Sequence, residues 1–230
     1  MRGALWALVA LALSACGGGG SASEPASGGV PLPGAYVAPT CAVAWGDSLT
    51  MGHGTDMSNQ PYPARLAAMQ ARDVRNRGVA GDTSSQILTR ILAPAADGDR
   101  TCVALLWMGR NNFTQTDQIV ADVRAAVDYQ TSAQVLVLSL LNADGETRGT
   151  QFHDRVILAN ERLSQMYGKR FVDVRQALID AADPQSPDDA ADVAAGIIPR
   201  SLRVDTVHLN PRGYDIVARK VADTITSLGW

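Results

Sequence analysis

The chain has 230 residues, 46% of them hydrophobic, which suits one domain of about 200 residues with a sizeable core. Twenty basic residues against 23 acidic ones leave a net charge of −3 without basic runs. That balance excludes an electrostatic footprint for nucleic acid, so no nucleic-acid partner is expected.

Residues 1–15 carry the marks of an export signal. Arg2 supplies a minimal positive start, and the apolar run from Leu5 to Ser14 is too short to span a bilayer. Leu13-Ser14-Ala15-Cys16 resembles a bacterial lipobox, in which the chain is cut before the cysteine and the cysteine is then acylated. The alternative is an ordinary secretory signal with a chance cysteine. Residues 16–39 continue as "GGGGSASEPASGGVPLPGAYVAP" after Cys16, a Gly/Ser/Pro tether with a coil reach of roughly 25 Å. Two acyl chains anchor stably where one does not. The expectation is an exported protein held to the cell envelope by lipid alone, at the periplasmic face or at the outer membrane of a diderm host.

Residues 40–230 read as strands alternating with helices. The apolar run "CAVAWG" predicts a strand over Cys41–Trp45, and after a polar loop "YPARLAAMQAR" predicts a helix. A short strand is expected near Val74–Asn76, then a helix in "TSSQILTRILAP" opened by a Ser/Thr cap. A strand over Cys102–Met108, a helix over Asp117–Tyr129 and a strand over Gln134–Leu140 follow. A helix over Phe152–Tyr167, a strand over Arg170–Val174 and a last helix from Pro211 to about Leu228 complete the pattern. The segment "DPQSPDDAADVAAGIIPR" is expected to be a loop insertion. Five short apolar strands separated by helices imply a parallel sheet covered on both faces. Cys41 and Cys102 each open an apolar run, in a compartment where disulfides survive. Parallel neighbouring strands would let the two sulfurs meet; otherwise they are two separate buried thiols.

In open parallel sheets chemistry gathers at the carboxyl ends of the strands. Gly46-Asp47-Ser48-Leu49 follows the first strand, "NRGVAGDTS" the second and "GRNN" (Gly109–Asn112) the third, while "DTVHLNPRGY" places Asp205 three residues before His208. A serine hydroxyl is a weak nucleophile until a base takes its proton, which suits Ser48 and His208. A carboxylate such as Asp205 can hold the other imidazole nitrogen and fix the tautomer. The oxyanion formed on attack needs preorganised donors. The Ser48 amide, the Gly81 amide and the Asn111 side chain are the candidates, Gly81 because a missing Cβ admits close approach.

These four blocks in this order resemble the SGNH (GDSL-type) hydrolase family across nearly all of residues 41–228. "GDSL" matches the nucleophile block, "GVAGDTS" the glycine block, "GRNN" the asparagine block and "DTVHLN" the final acid–histidine block. The resemblance implies an α/β fold, a three-layer α/β/α sandwich of flavodoxin type with a central five-stranded parallel sheet. It also implies that strands one and three are neighbours, as a Cys41–Cys102 disulfide requires. By the same resemblance Ser48, Asp205 and His208 form a catalytic triad, with Ser48, Gly81 and Asn111 as the oxyanion hole. One departure stands out: the third block usually ends in aspartate, and here Asn112 takes its place.

The remaining polar features read as ordinary structure. Asp47 suits a turn that accepts backbone amides, Thr83 and Ser84 suit a helix cap, and Trp45 and Trp107 suit the core. His53 and His153 read as loop and helix-start residues, His53 lying near enough in sequence to line the pocket. Met57 stands where a dinucleotide fingerprint wants its third glycine. "NADGETRG" lacks the downstream glutamate of a calcium loop, and no zinc spacing or G-x-S-x-G elbow occurs. The chemistry needs no cofactor and no metal.

The expected activity is a serine ester hydrolase working through an acyl-enzyme on a small-molecule or glycan ester. Polar rim loops, "RNNFTQTDQ" and "NADGETRGTQFH", favour short acyl groups, including those on carbohydrates. A lysophospholipase or thioesterase is the enzymatic alternative, and a non-catalytic glycan-binding surface lipoprotein is the other. A monomer is expected.

Overall fold

The structure, a computed structural model, describes residues 39–57 and 60–230. The expected export signal (1–15), Cys16 and the tether up to residue 38 lie outside the described residues.

From the described N-terminus, β1 (Cys41–Gly46) runs into the four-residue α1 (Ser48–Met51), followed by α2 (Tyr62–Gln70) and β2 (Asp73–Gly78). Then come α3 (Ser84–Ile91), β3 (Val103–Trp107), α4 (Thr116–Tyr129) and β4 (Val135–Leu138). The chain ends with α5 (Gln151–Tyr167), β5 (Phe171–Val172), α6 (Val174–Asp180), α7 (Pro187–Ala195) and α8 (Pro211–Ser227). All strand pairings are parallel, in the order β2-β1-β3-β4-β5. This is the expected flavodoxin-type α/β/α sandwich.

The inner strands β1, β3 and β4 read as near-continuous apolar runs because both faces of the sheet are covered there, whereas the edge strand β2 reads DVRNRG, largely polar and partly exposed, and not as the apolar run expected. Ala42, Ala44, Leu105 and Trp107 point into a core shared with Tyr62 and Leu66 of α2, Leu178 of α6 and Val217 and Val221 of α8. Their neighbours Val43, Trp45, Ala104 and Leu106 point the other way, against Ile87 of α3, Ile119 and Val123 of α4 and Leu163 of α5. Both tryptophans are therefore core residues, and the Trp107 indole N–H donates to Ser139 O at 2.9 Å. No helix among the described residues is long and apolar enough to cross a membrane.

From β1 the chain moves outward to β2, then returns across β1 to β3 on its other side. The strand order reverses there, and in doubly wound sheets that reversal opens a crevice at the carboxyl ends. Gly46 pairs with Gly78 and with Trp107, so the ends of β1, β2 and β3 share one rim. At the opposite edge Cys41 and Cys102 form a disulfide.

The segment expected as a loop insertion is partly a helix. Ser186 caps α7 by accepting Asp189 N–H, Pro187 stands in its first turn, and Gly196 ends it at φ 76°. Buried Asp189 then binds the Ser201 backbone and hydroxyl, and buried Asp192 pairs with Arg200 and Arg203. The last strand is also shorter than expected: Asp173 caps a helix whose first residue is Val174.

Candidate active site

Ser48 opens α1 immediately after β1. Two close approaches fix it there. A Cβ on Gly46 would meet Thr50 Oγ1 at 2.0 Å, and one on Gly78 would meet Met51 N at 2.1 Å. The end of β2 and the turn carrying the serine are thus in backbone contact, and Asn76 Nδ2 reinforces this by donating to Thr50 O at 3.0 Å. Asp47, 1% exposed, caps α1 by accepting Leu49 N–H at 2.9 Å. Burial pushes its carboxyl up to about 7, against that hydrogen bond and the opposing charge of Arg110.

The other half of the site comes from the turn before α8. Asp205 Oδ1 accepts the backbone N–H groups of Val207 and His208 at 2.8 and 2.7 Å, while Oδ2 meets His208 Nδ1 at 2.7 Å. Partial burial raises the Asp205 carboxyl, but these hydrogen bonds outweigh it and hold the group down at about 2. An ionised carboxylate only accepts, so His208 Nδ1 carries the proton and Nε2 is the basic nitrogen. That nitrogen lies 2.9 Å from Ser48 Oγ, across 160 residues of sequence. The turn is held by the Arg203–Leu209 bridge, by Arg203 against Asp192 of α7, and by Asn210, which caps α8.

Ser48, Gly81 and Asn111 line the same cavity of about 510 Å³. The Ser48 N–H belongs to the first turn of α1, where backbone donors have no earlier helical carbonyl. Gly81 takes φ 84°, and no protein atom would lie within 4 Å of an added Cβ. The left-handed backbone by itself favours glycine there, and the open space beside it leaves the Gly81 N–H uncovered by a side chain of its own. Asn111 stands in a 3-10 turn (Arg110–Asn112) after β3, and one of its amide hydrogens goes to Asp82 O at 2.9 Å. The second remains for a ligand in the cavity.

Several wall residues carried no sequence signal of their own. Arg110 is gripped by both Glu146 oxygens and donates to Leu141 O at 2.7 Å, with its guanidinium 4.3 Å from the Phe113 ring centre. Phe113, Ala80, Ala143, Thr206 and Val207 complete the lining. The His53 ring lies 4.2 Å from that of His208, so His53 lines the site as its sequence position allowed. His153 instead starts α5 and is buried away from the cavity. Thr83 caps α3 in a reciprocal box with Gln86, while the Ser84 side chain turns inward to Asp122.

Among the described residues, one group offers metal-ligand atoms close together: His53, Asp205 and His208, within 4.8 Å of one another. Asp205 Oδ2 is engaged by His208 Nδ1 and His208 Nε2 by Ser48. The donor set is arranged as a hydrogen-bonded relay.

Comparison with known proteins places this geometry. The GDSL-like lipase/acylhydrolase family matches residues 44–216. The tail spike protein of Salmonella phage epsilon15 is 29% identical over 144 residues, 57% of this chain; the match spans only 13% of that curated relative's length. A lipolytic protein of the G-D-S-L family from Veillonella parvula superimposes with a TM-score of 0.64 at 19% identity, covering 81% of this chain and 98% of that one. The lipase/acylhydrolase of Enterococcus faecalis gives 0.61 at 17% identity, covering 82% and 96%. An acetylxylan esterase from Geobacillus stearothermophilus gives 0.61 at 17%, covering 82% and 95%. At such identities the structures speak for the fold; the family match over three quarters of the sequence decides membership, and this chain belongs to the GDSL-like lipase/acylhydrolase family.

Proposed function

We propose that the protein is a serine ester hydrolase that works through an acyl-enzyme on short-chain acyl esters, with O-acylated carbohydrates as the favoured class. The observation that carries this is the unbroken relay Ser48 Oγ–His208 Nε2 (2.9 Å) and His208 Nδ1–Asp205 Oδ2 (2.7 Å). Ser48 Oγ attacks the ester carbonyl carbon as its proton passes to His208 Nε2. Asp205 stabilises the imidazolium and holds the ring in register. The carbonyl oxygen, now negative, takes hydrogen bonds from Ser48 N–H, Gly81 N–H and the free Asn111 amide hydrogen, each such donor contributing about 3 kcal/mol. Collapse expels the alcohol, which receives the proton from Nε2. Water then enters, loses a proton to His208, and releases the acid from Ser48.

The short-chain preference is supported by the short apolar side chains that line the cavity, Ala80, Ala143 and Val207, with Phe113 the one large apolar side chain among its lining residues. The carbohydrate class fits the polar rim of Arg110, Asn111, Thr206 and His53, and the printed name of one fold neighbour, an acetylxylan esterase, is consistent with it. The domain is further proposed to sit at the cell envelope on acylated Cys16. Mass spectrometry finding an unmodified Cys16 in the mature protein overturns that placement.

Two experiments test the function. A fluorophosphonate probe should label the wild type and not Ser48→Ala; an unlabelled wild type favours a non-catalytic glycan-binding protein instead. A p-nitrophenyl ester series should peak at C2–C4, with acetylated oligosaccharides also cleaved. A peak at C8 or longer transfers the assignment to a lipid acyl hydrolase.

A further inference from the structure

Asn112 stands where the resembling sequence block ends in aspartate, and the structure places a different aspartate, Asp122, one side chain away. Between them lies Ser84, fully buried at the start of α3. Its hydroxyl has one proton to give. Asp122 Oδ2 lies 2.6 Å from Ser84 Oγ, and a carboxylate only accepts, so that proton points to Asp122. Asp122 also receives Ser85 Oγ at 2.8 Å and Gln118 Nε2 at 2.8 Å. Ser84 Oγ is thereby left as an acceptor toward its other neighbour. Asn112 answers with a donor, Nδ2 at 2.9 Å, while its Oδ1 accepts Ser84 N–H at 3.0 Å.

We propose that Asn112 and Asp122 are a matched pair of positioning residues, which set the direction of the buried Ser84 hydroxyl and so hold the asparagine loop against the Gly81 turn. The inference rests on the role of Asn111 as an oxyanion donor. Adjacent asparagines grip the two ends of one short segment: Asn111 at Asp82 O (2.9 Å) and Asn112 at Ser84. Together they fix where the second Asn111 amide hydrogen points. An aspartate at 112 would face Ser84 Oγ with a second acceptor. A single proton cannot serve both carboxylates, and a buried pair of oxygens would be left without hydrogen between them. With Asp122 present, asparagine is the residue that closes this network. The opposite polarity, aspartate at 112 and amide at 122, closes it equally well.

The test is a double-mutant cycle in the full chain: Asn112→Asp, Asp122→Asn and both together. The readouts are kcat and KM on p-nitrophenyl acetate per site titrated with fluorophosphonate, and Tm measured separately. Asn112→Asp should lower kcat about tenfold or more with KM held within about threefold, as a misplaced donor predicts. Asp122→Asn alone should cost no more than about threefold, because its amide oxygen can still accept from Ser84. The double variant should recover to within about threefold of wild type, which signals coupling and not two independent losses. A purely structural role would lower Tm and leave kcat per titrated site intact. The pairing is overturned if Asn112→Asp keeps more than half of wild-type kcat, or if the double variant is no better than Asn112→Asp. An insoluble Asn112→Asp beside a soluble, active double variant supports the pairing, and insolubility of both overturns it. Asn111→Ala serves as the control: an unchanged kcat there sinks the oxyanion assignment itself, whereas a large loss with an additive cycle sinks only the pairing.

Discussion

Breaking the Cys41–Cys102 bond should cost stability without costing chemistry. The bond closes 61 residues of sequence, and the chain-entropy treatment of a loop that long gives about 4 kcal/mol at 25 °C. For a domain of this size each kcal/mol moves Tm by roughly 2–4 °C, so the expected fall is roughly 8–16 °C. The bond joins the amino-terminal edge of β1 to the start of β3, and five residues of strand, roughly 17 Å, separate Cys41 from Gly46 at the catalytic rim. Hence kcat at 25 °C should stay within about twofold. The assay compares the wild type with Cys41→Ala/Cys102→Ala by calorimetry, each with and without reductant, and measures esterase turnover on the same samples. Reductant should lower the wild-type Tm and leave that of the double variant alone. A fall of less than about 3 °C would mean that the loop is already restrained in the unfolded chain. Loss of turnover at 25 °C would mean that the two edges of the sheet are not independent; either result refutes the reasoning.

Asp205→Asn should lower kcat by about 10³–10⁴-fold with little change in KM, since it removes the acceptor that fixes the His208 tautomer; steady-state kinetics on p-nitrophenyl acetate decide, and a loss below tenfold would move the acid role elsewhere. Asp47→Asn probes the buried carboxyl. Its folded value near 7 lies above the ordinary 3.8, so its contribution is full below 3.8 and is lost as pH rises through 7. The Tm of Asp47→Asn relative to wild type should therefore increase from pH 4 to pH 8, and a flat difference would remove the burial penalty from consideration. Gly196→Ala should destabilise by about 1–3 kcal/mol, because the site has φ 76° and the new Cβ would lie 2.7 Å from His153 Nε2. Chemical denaturation would measure it, and an unchanged midpoint would show that His153 moves freely.

The sheet was legible because its inner strands are almost wholly apolar: "VALLW" in β3 and "VLVL" in β4 admit no other burial. The site was legible for the opposite reason, since Gly-Asp-Ser, Gly-Arg-Asn and Asp-x-x-His interrupt or follow those runs where a parallel sheet exposes its ends. What stayed hidden was set by tertiary context. The α7 segment is rich in Asp and Pro and resembles a loop, yet Ser186-Pro187 is a legitimate helix start and its aspartates are buried against Arg200, Arg203 and Ser201. Val174 looked like the end of a strand because valine favours strands, but the Asp173 cap turns it into a helix start. The hydrogen-bond direction at Ser84 depends on Asp122, 38 residues away, and no local pattern encodes it.

The proposed nucleophile opens the short helix after the first strand of the described fold, and its proposed base lies in a turn 160 residues later, just ahead of the last helix. On the proposed mechanism, activity consequently requires the chain through at least His208. A ribosome-bound or prematurely terminated chain that stops short of residue 205 holds Ser48 without the Asp205–His208 pair, whose imidazole is the one hydrogen-bonded to the Ser48 hydroxyl. On that mechanism, the order of the residues alone withholds hydrolysis until the last turn before the final helix has been made.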